Sequence, residues 1–256
     1  MACEKMSGNK NKKAQVSLFA ILAIVIIASI LIFSFFIQKR IITLNLNNPV
    51  EYIQKCAKDS ADSAISALEE NGGFIYNKSL SKMYRGQNYT YLCYYSGNYK
   101  SCVNQKPNLI TDMEKDMAKY VSYDVENCFS SYKYEMQKRG YSVEFSDMNL
   151  SSEIVSGKII IKITRKLTLV KESASDFGKF DTIIPSPLYE LSLIAQEILR
   201  QEAEFCDFNS DGYMLIYPDY NIDKIEYDNS VLYKITNRKK EDSFLFAIKS
   251  CTMPPY

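Results

Sequence analysis

KIIIKITRKLTLV, residues 158–170, alternates apolar and polar positions along its length. Successive side chains of a strand point to opposite faces, so Ile159, Ile161, Ile163, Leu167 and Leu169 share one face. Lys158, Lys162, Thr164, Lys166 and Thr168 share the other, with Ile160 among them. A strand with one continuous apolar face needs a layer packed on it. The lysine ladder reads as the wet face of a sheet or as protection of an edge, and alternatively as a surface for an anionic polymer.

The layer comes from helices on either side. Residues 110–138 carry Ile110, Met113, Met117, Val121, Val125, Cys128, Phe129, Tyr132 and Met136 at helical spacing, with Thr111 and Glu114 as an expected capping box and Gly140 as the stop. Residues 49–70 open on Pro49, place Val50, Ile53, Cys56 or Ala57, Ala61, Ala64, Ile65 and Leu68 at helical spacing, and close at Gly72-Gly73. A third helix follows Pro185 and Pro187, with Leu188, Leu191, Ile194, Ala195, Ile198 and Leu199 as its stripe and an end near Glu204. Tyr141, Val143 and Phe145 alternate ahead of a polar loop. YTYLCYYSGNYKSCV, residues 89–103, reads as a hairpin turning at Ser96-Gly97-Asn98. YMLIY (213–217), IDKIEY (222–227), VLYKIT (231–236) and FLFAIK (244–249) read as a meander. The fold class is α+β, with amphipathic helices packed on an antiparallel sheet.

Ahead of all this stands VSLFAILAIVIIASILIFSFFI, residues 16–37, without a charge. A helix of about 22 residues reaches about 33 Å, enough to cross a bilayer. Lys10, Lys12 and Lys13 precede it, which favours a cytoplasmic N-terminus and an extracellular remainder. The expected organisation is a basic leader (1–14), an anchor helix (15–38), a linker (39–48) and an exported domain (49–256). The lipid bilayer is then the first partner. The net charge of +1 gives no field for nucleic acid.

The chain has seven cysteines and no histidine. Without histidine there is no Ser-His-Asp or Cys-His nucleophile system and no imidazole metal ligand. Cys3 precedes the apolar run; Cys56, Cys93, Cys102, Cys128, Cys206 and Cys251 follow it, an even number on the oxidising side. Sequence alone allows about 15 pairings. The preferred set is Cys93–Cys102, which would close the hairpin, Cys56–Cys128, which would tie two helices, and Cys206–Cys251, which would staple the C-terminal sheet. Six packed thiols are the alternative. Asn77, Asn88 and Asn149 head N-x-S/T sequons on the same side and are candidate glycosylation sites.

Lys12-Lys13-Ala14-Gln15 directly before the apolar run resembles the class III signal of archaeal type IV pilin-like proteins. That resemblance implies cleavage by a prepilin peptidase between Ala14 and Gln15, retention of the helix as an anchor, and other envelope or pilin-like subunits as partners. Ala14 stands where that family more often has Gly, and Phe19 where filament-forming pilins commonly have Glu. An uncleaved signal anchor is the other reading. The helix with Cys56 followed by the Gly72-Gly73 turn is similar to single-anchor exported proteins of small-genome archaea.

Sites of chemistry are sparse. Asp207-Phe-Asn209-Ser-Asp211-Gly212 matches the first half of a calcium loop, where alternate oxygens face one centre, but Pro218 stands where the bidentate Glu belongs. Its other reading is a polar turn. Apart from this calcium possibility no cofactor is expected. The acidic pairs Glu69-Glu70 and Glu202/Glu204 read as solvated helix faces. No GxSxG, HExxH, GxGxxG or GxxxxGK[ST] motif occurs, so no enzyme is expected. Two functions remain: a pilin-like or cell-envelope structural subunit, and a membrane-tethered binding module. The Tyr-rich 74–105 stretch serves the second as a recognition surface, or serves the fold as cross-strand packing.

Overall fold

The structure, a computed structural model, describes residues 46–76, 80–97 and 99–251, together with Ile26. The chain divides into two units, Met1–Asn47 and Asn48–Tyr256. Except for Ile26, the apolar run lies outside the described residues, as do Cys3, the processing residues Lys12, Lys13, Ala14 and Gln15, and Asn77. Among the described residues no helix is long and apolar enough to cross a membrane.

The second unit is α+β. Its first helix, α1 (Pro49–Glu70), starts where Asn48 caps it: the Asn48 Oδ1 accepts from the amides of Val50 and Glu51 at 3.1 and 3.3 Å. Ile53, Ala57, Ala61, Ala64 and Leu68 form its buried stripe. At Gly73 the chain leaves at φ +81°, and a Cβ there would stand 2.7 Å from Leu109 Cδ1, so only glycine fits. The second helix, α2 (Leu109–Lys138), buries Met113, Met117, Val121, Val125, Phe129, Tyr132 and Met136. It starts two residues before the expected cap. Asn108 holds the cap position without a side-chain bond, and Thr111 lies inside the helix. Glu114 does not close a capping box. Its Oε1 accepts from the Ile154 amide at 2.8 Å and ties the helix to a neighbouring strand. At the far end the Gly140 and Tyr141 amides donate to the carbonyls of Gln137 and Met136, with Gly140 at φ +82°.

Two sheets share these helices. The six-stranded sheet holds β1 (Ser81–Tyr84), β2 (Gln87–Tyr94), β3 (Val103–Asn104), β9 (Tyr220–Tyr227), β10 (Ser230–Asn237) and β11 (Ser243–Lys249), in the order β1-β2-β11-β10-β9 with β3 on β2. The five-stranded sheet holds β4 (Ser142–Phe145), β5 (Asn149–Val155), β6 (Lys158–Val170), β7 (Ala174–Lys179) and β8 (Thr182–Pro185). All of its pairs involve β6: β5 and β4 follow one another along one edge, β8 and β7 along the other. The third helix is α3 (Leu188–Phe205), and a short α4 (Ser210–Ile216) follows.

Three expectations change. A single antiparallel sheet becomes two, and the larger is mixed, because β11 enters between β2 and β10 and runs parallel to β2. The expected polar loop after Phe145 contains β5, whose Leu150, Ser152 and Ile154 face inward with too few apolar residues to announce a strand. YMLIY is not a strand. Asn209 accepts from the Gly212 amide at 2.9 Å and starts α4 there, before Pro218 closes off further extension.

The cysteines pair as preferred from the sequence: Cys56–Cys128, Cys93–Cys102 and Cys206–Cys251, with Cα separations of 6.6, 5.3 and 5.8 Å. The first joins α1 to α2. The second spans the loop between β2 and β3, which pair at Cys93↔Asn104 and Tyr94↔Val103. The third ties the end of α3 to the chain just past β11.

Candidate functional site

The site grows from the end of α3. Cys206, in the left-handed conformation at φ 58°, turns the chain away from the helix, and Asn209 then starts α4. The Ile222 amide contacts Met214 Sδ at 3.2 Å, holding α4 beside β9. Between them runs an open groove of about 600 Å³, walled by Tyr89, Asp211, Met214, Asp223, Lys224 and Lys234. The outer side of α4 stays bare: Leu215, Ile216 and Tyr217 are 84, 71 and 49% exposed.

A polar chain runs from the buried Tyr233 and Glu202 out to Lys224 in the groove wall and the exposed Asp207. The Tyr233 hydroxyl donates to Glu202 Oε1. Lys224 is ion-paired with Asp207, donates to the Phe208 carbonyl at 3.2 Å and stands 4.0 Å from Glu202. Burial pushes the Glu202 carboxyl up, against the pull of Tyr233 and Lys224, and it raises the Tyr233 hydroxyl too. The hydrogen bond from Lys224 holds the Asp207 carboxyl below its usual range. Tyr233 lies stacked on Phe246 at 5.4 Å, so the chain is fixed by packing as well as by hydrogen bonds.

The calcium-loop residues therefore serve other partners: Asp207 meets Lys224, Asn209 caps α4 and Asp211 lines the groove. Among the described residues no group of three or more His, Cys, Asp or Glu side chains is placed to hold a metal ion. Glu202 and Glu69 are not on solvated faces as expected; they are 2 and 9% exposed. Each falls in phase with its helix's apolar stripe, Glu202 four residues after Ile198 and Glu69 four after Ile65. Arg165 follows the same pattern on a strand. It sits on the core face of β6 between Ile163 and Leu167, 8% exposed. It donates to Glu126 at 2.7 Å and to the Ser146 carbonyl at 2.8 Å, with its guanidinium over Phe129 and Phe145. In all three cases the phase is readable in the sequence, and the partner that makes burial tolerable is not.

The lysine ladder is not an edge, since β6 is paired on both sides. Lys162 meets Glu153 and Lys166 meets Asp176 across strands, the latter at 3.3 Å. The tyrosines divide. Tyr89 and Tyr91 are buried in a cluster with Leu232, Leu245 and Ala247, covered by Tyr84, Tyr94 and Ile225, while Tyr99 is 71% exposed. Of the described sequons, Asn88 lies in β2 with Thr90 fully buried, and Asn149 is exposed at the start of β5. Comparison of the chain with protein-family models, with characterised proteins and with solved structures returns no match.

Proposed function

We propose that this chain is a non-catalytic, membrane-anchored subunit of the cell envelope, pilin-like in its N-terminal signal and anchor, with its folded domain outside the cell. The observation that carries the reading is the Cys56–Cys128 crosslink close behind the start of α1. Residues 16–37 would hold the chain in the bilayer, and α1 begins a short linker later. Any pull on the anchor then enters α1, whose stripe is buried and which is covalently locked to α2, so it cannot peel away. Three disulfides fit an oxidising compartment. The prepilin peptidase would cut between Ala14 and Gln15, leaving the anchor intact.

Intact mass of the protein from membranes of a host with prepilin peptidase tests this. Loss of residues 1–14 and a gain of about six mass units on reduction are expected. A full-length chain absent from sheared surface assemblies would sink the pilin-like part, and no mass gain would sink the extracellular part.

The tethered binding module is the second reading, favoured by the exposed Leu215, Ile216 and Tyr217 beside the groove. In that case the chain stays monomeric on its anchor, and Leu215→Ser with Ile216→Ser abolishes partner capture without changing the melting temperature.

A further inference from the structure

A second pocket lies where the six-stranded sheet opens. The β2–β11 ladder runs only from Tyr91↔Ala247 to Tyr94↔Lys249. Ahead of it, Gln87 of β2 and Ser243 and Leu245 of β11 border a pocket of about 250 Å³, and the last turn of α1 forms its wall. Four carboxylate side chains line it: Glu69 and Glu70 from α1, Glu241 and Asp242 from the turn before β11. Glu69 is 9% exposed, and its Oε1 is fully buried and accepts no hydrogen bond. Buried polar atoms normally have a partner, so a buried carboxylate oxygen facing none is a place where a donor is missing. The charges that act on Glu69 are Asp242 and Glu70, both negative. Lys234, the cation in the lining, is not among them.

We propose that this pocket is a subsite for a primary ammonium or guanidinium group, with Glu69 as its buried anchor and Glu70, Glu241 and Asp242 as surrounding acceptors. The chemistry follows from what is missing. A bare metal ion needs several oxygens converging on one point, and among the described residues no such group forms. An ammonium or guanidinium brings three to five donors and accepts a diffuse ring of carboxylates, hydroxyls and an amide oxygen, here supplied also by Ser66, Ser243 and Gln87. At about 250 Å³ the pocket has room for a side-chain head. Burial and the two like charges hold the empty Glu69 at about 8, and an entering cation would supply both the missing donor and the missing countercharge. The cation comes from a free amine or from a Lys or Arg side chain of a protein; the site chemistry is the same.

The test uses the full chain in detergent and calorimetry at pH 8.5. The probes are 1,5-diaminopentane, agmatine, end-blocked Gly-Lys-Gly and Gly-Arg-Gly peptides, and calcium chloride. Saturable binding of an amine or guanidine is expected. Glu69→Gln should weaken it by about tenfold or more without lowering the melting temperature, and Asp242→Asn by a smaller factor. Moving to pH 6.5 should weaken it by about 25-fold, because the proton on Glu69 must then be displaced; the other charged groups facing the pocket are Glu70, Glu241, Asp242 and Lys234. Peptides binding more tightly than free amines would assign the cation to a protein partner, and the reverse to a small molecule; both support the subsite. No heat from any amine or guanidine, equal binding by Glu69→Gln, or binding of calcium alone would overturn it.

Discussion

β6 and β11 are both central strands with partners on either side, yet only β6 has a wet face. On β6 every second residue, from Ile159 to Leu169, is buried, and the residues between are exposed or half-exposed. On β11 the sequence runs Phe244, Leu245, Phe246, Ala247, Ile248, and all five are buried. Its two faces have different covers. Phe246 faces Tyr233 and the helix side, while Leu245 and Ala247 lie in the tyrosine cluster with Tyr89 and Tyr91. The difference teaches that alternation marks a strand with water on one side, whereas a continuous apolar run marks one with protein on both.

Four measurements break or sharpen this contrast. The largest effect concerns the join between the two sheets' helices. Cys56→Ala with Cys128→Ala opens a 72-residue loop and is expected to cost about 4 kcal/mol in chemical denaturation. A loss under ~1 kcal/mol would mean the two layers are coupled by packing alone. Next, Leu245→Ala should cost about 2–5 kcal/mol, because the far face of β11 is core. A surface-sized change would show that the tyrosines do not seal it. Arg165→Ala should cost about 1–3 kcal/mol: it removes the guanidinium between Phe129 and Phe145 but strands little charge, since Glu126 is half exposed. The smallest effect belongs to the ladder of β6, where Lys162→Ala should shift stability by less than about 0.5 kcal/mol.

Glu69 gives the six-stranded side a pH signature of its own. Its carboxyl is raised from 4.5 to about 8 in the fold, so the folded state binds the proton more tightly. That contribution is complete below pH 4.5 and is lost as pH rises through 8. Thermal melts between pH 5 and 8.5 should show stability declining with pH, and Glu69→Gln should flatten the decline. An unchanged slope in the variant would place the titrating group elsewhere.

Helices α1 and α2 were legible because their stripes are long and their stops are glycines: Gly72-Gly73 and Gly140 end them as their positions imply, whereas the short α4, which has no buried stripe, was read as a strand. The pairing of the cysteines was legible because each bridge joins elements whose kinds were already clear. β5 was hidden because its inward positions include Ser152, whose hydroxyl donates to the Glu114 carbonyl at 2.6 Å and so satisfies itself inside. The parallel step from β2 to β11 was hidden for another reason, since no local pattern specifies a partner so far along the chain. The candidate sites fared least well. Glu69, Glu202 and Arg165 are charged residues in apolar phase, and reading them requires the tertiary partners that only the fold supplies.

The position of β11 also sets an order of events. It is the last described strand and the middle of its sheet, so β2 and β10 remain open-edged until residues 243–249 arrive. A chain emerging N-terminus first can complete the α2–β6 half early, but the other half waits on a single late insertion. Interrupted synthesis or a cut before residue 243 would then leave two adhesive strand edges facing one another across a vacant lane. Such products should be the ones that aggregate or are degraded, and the Cys206–Cys251 bond then tethers the inserted strand to the end of α3.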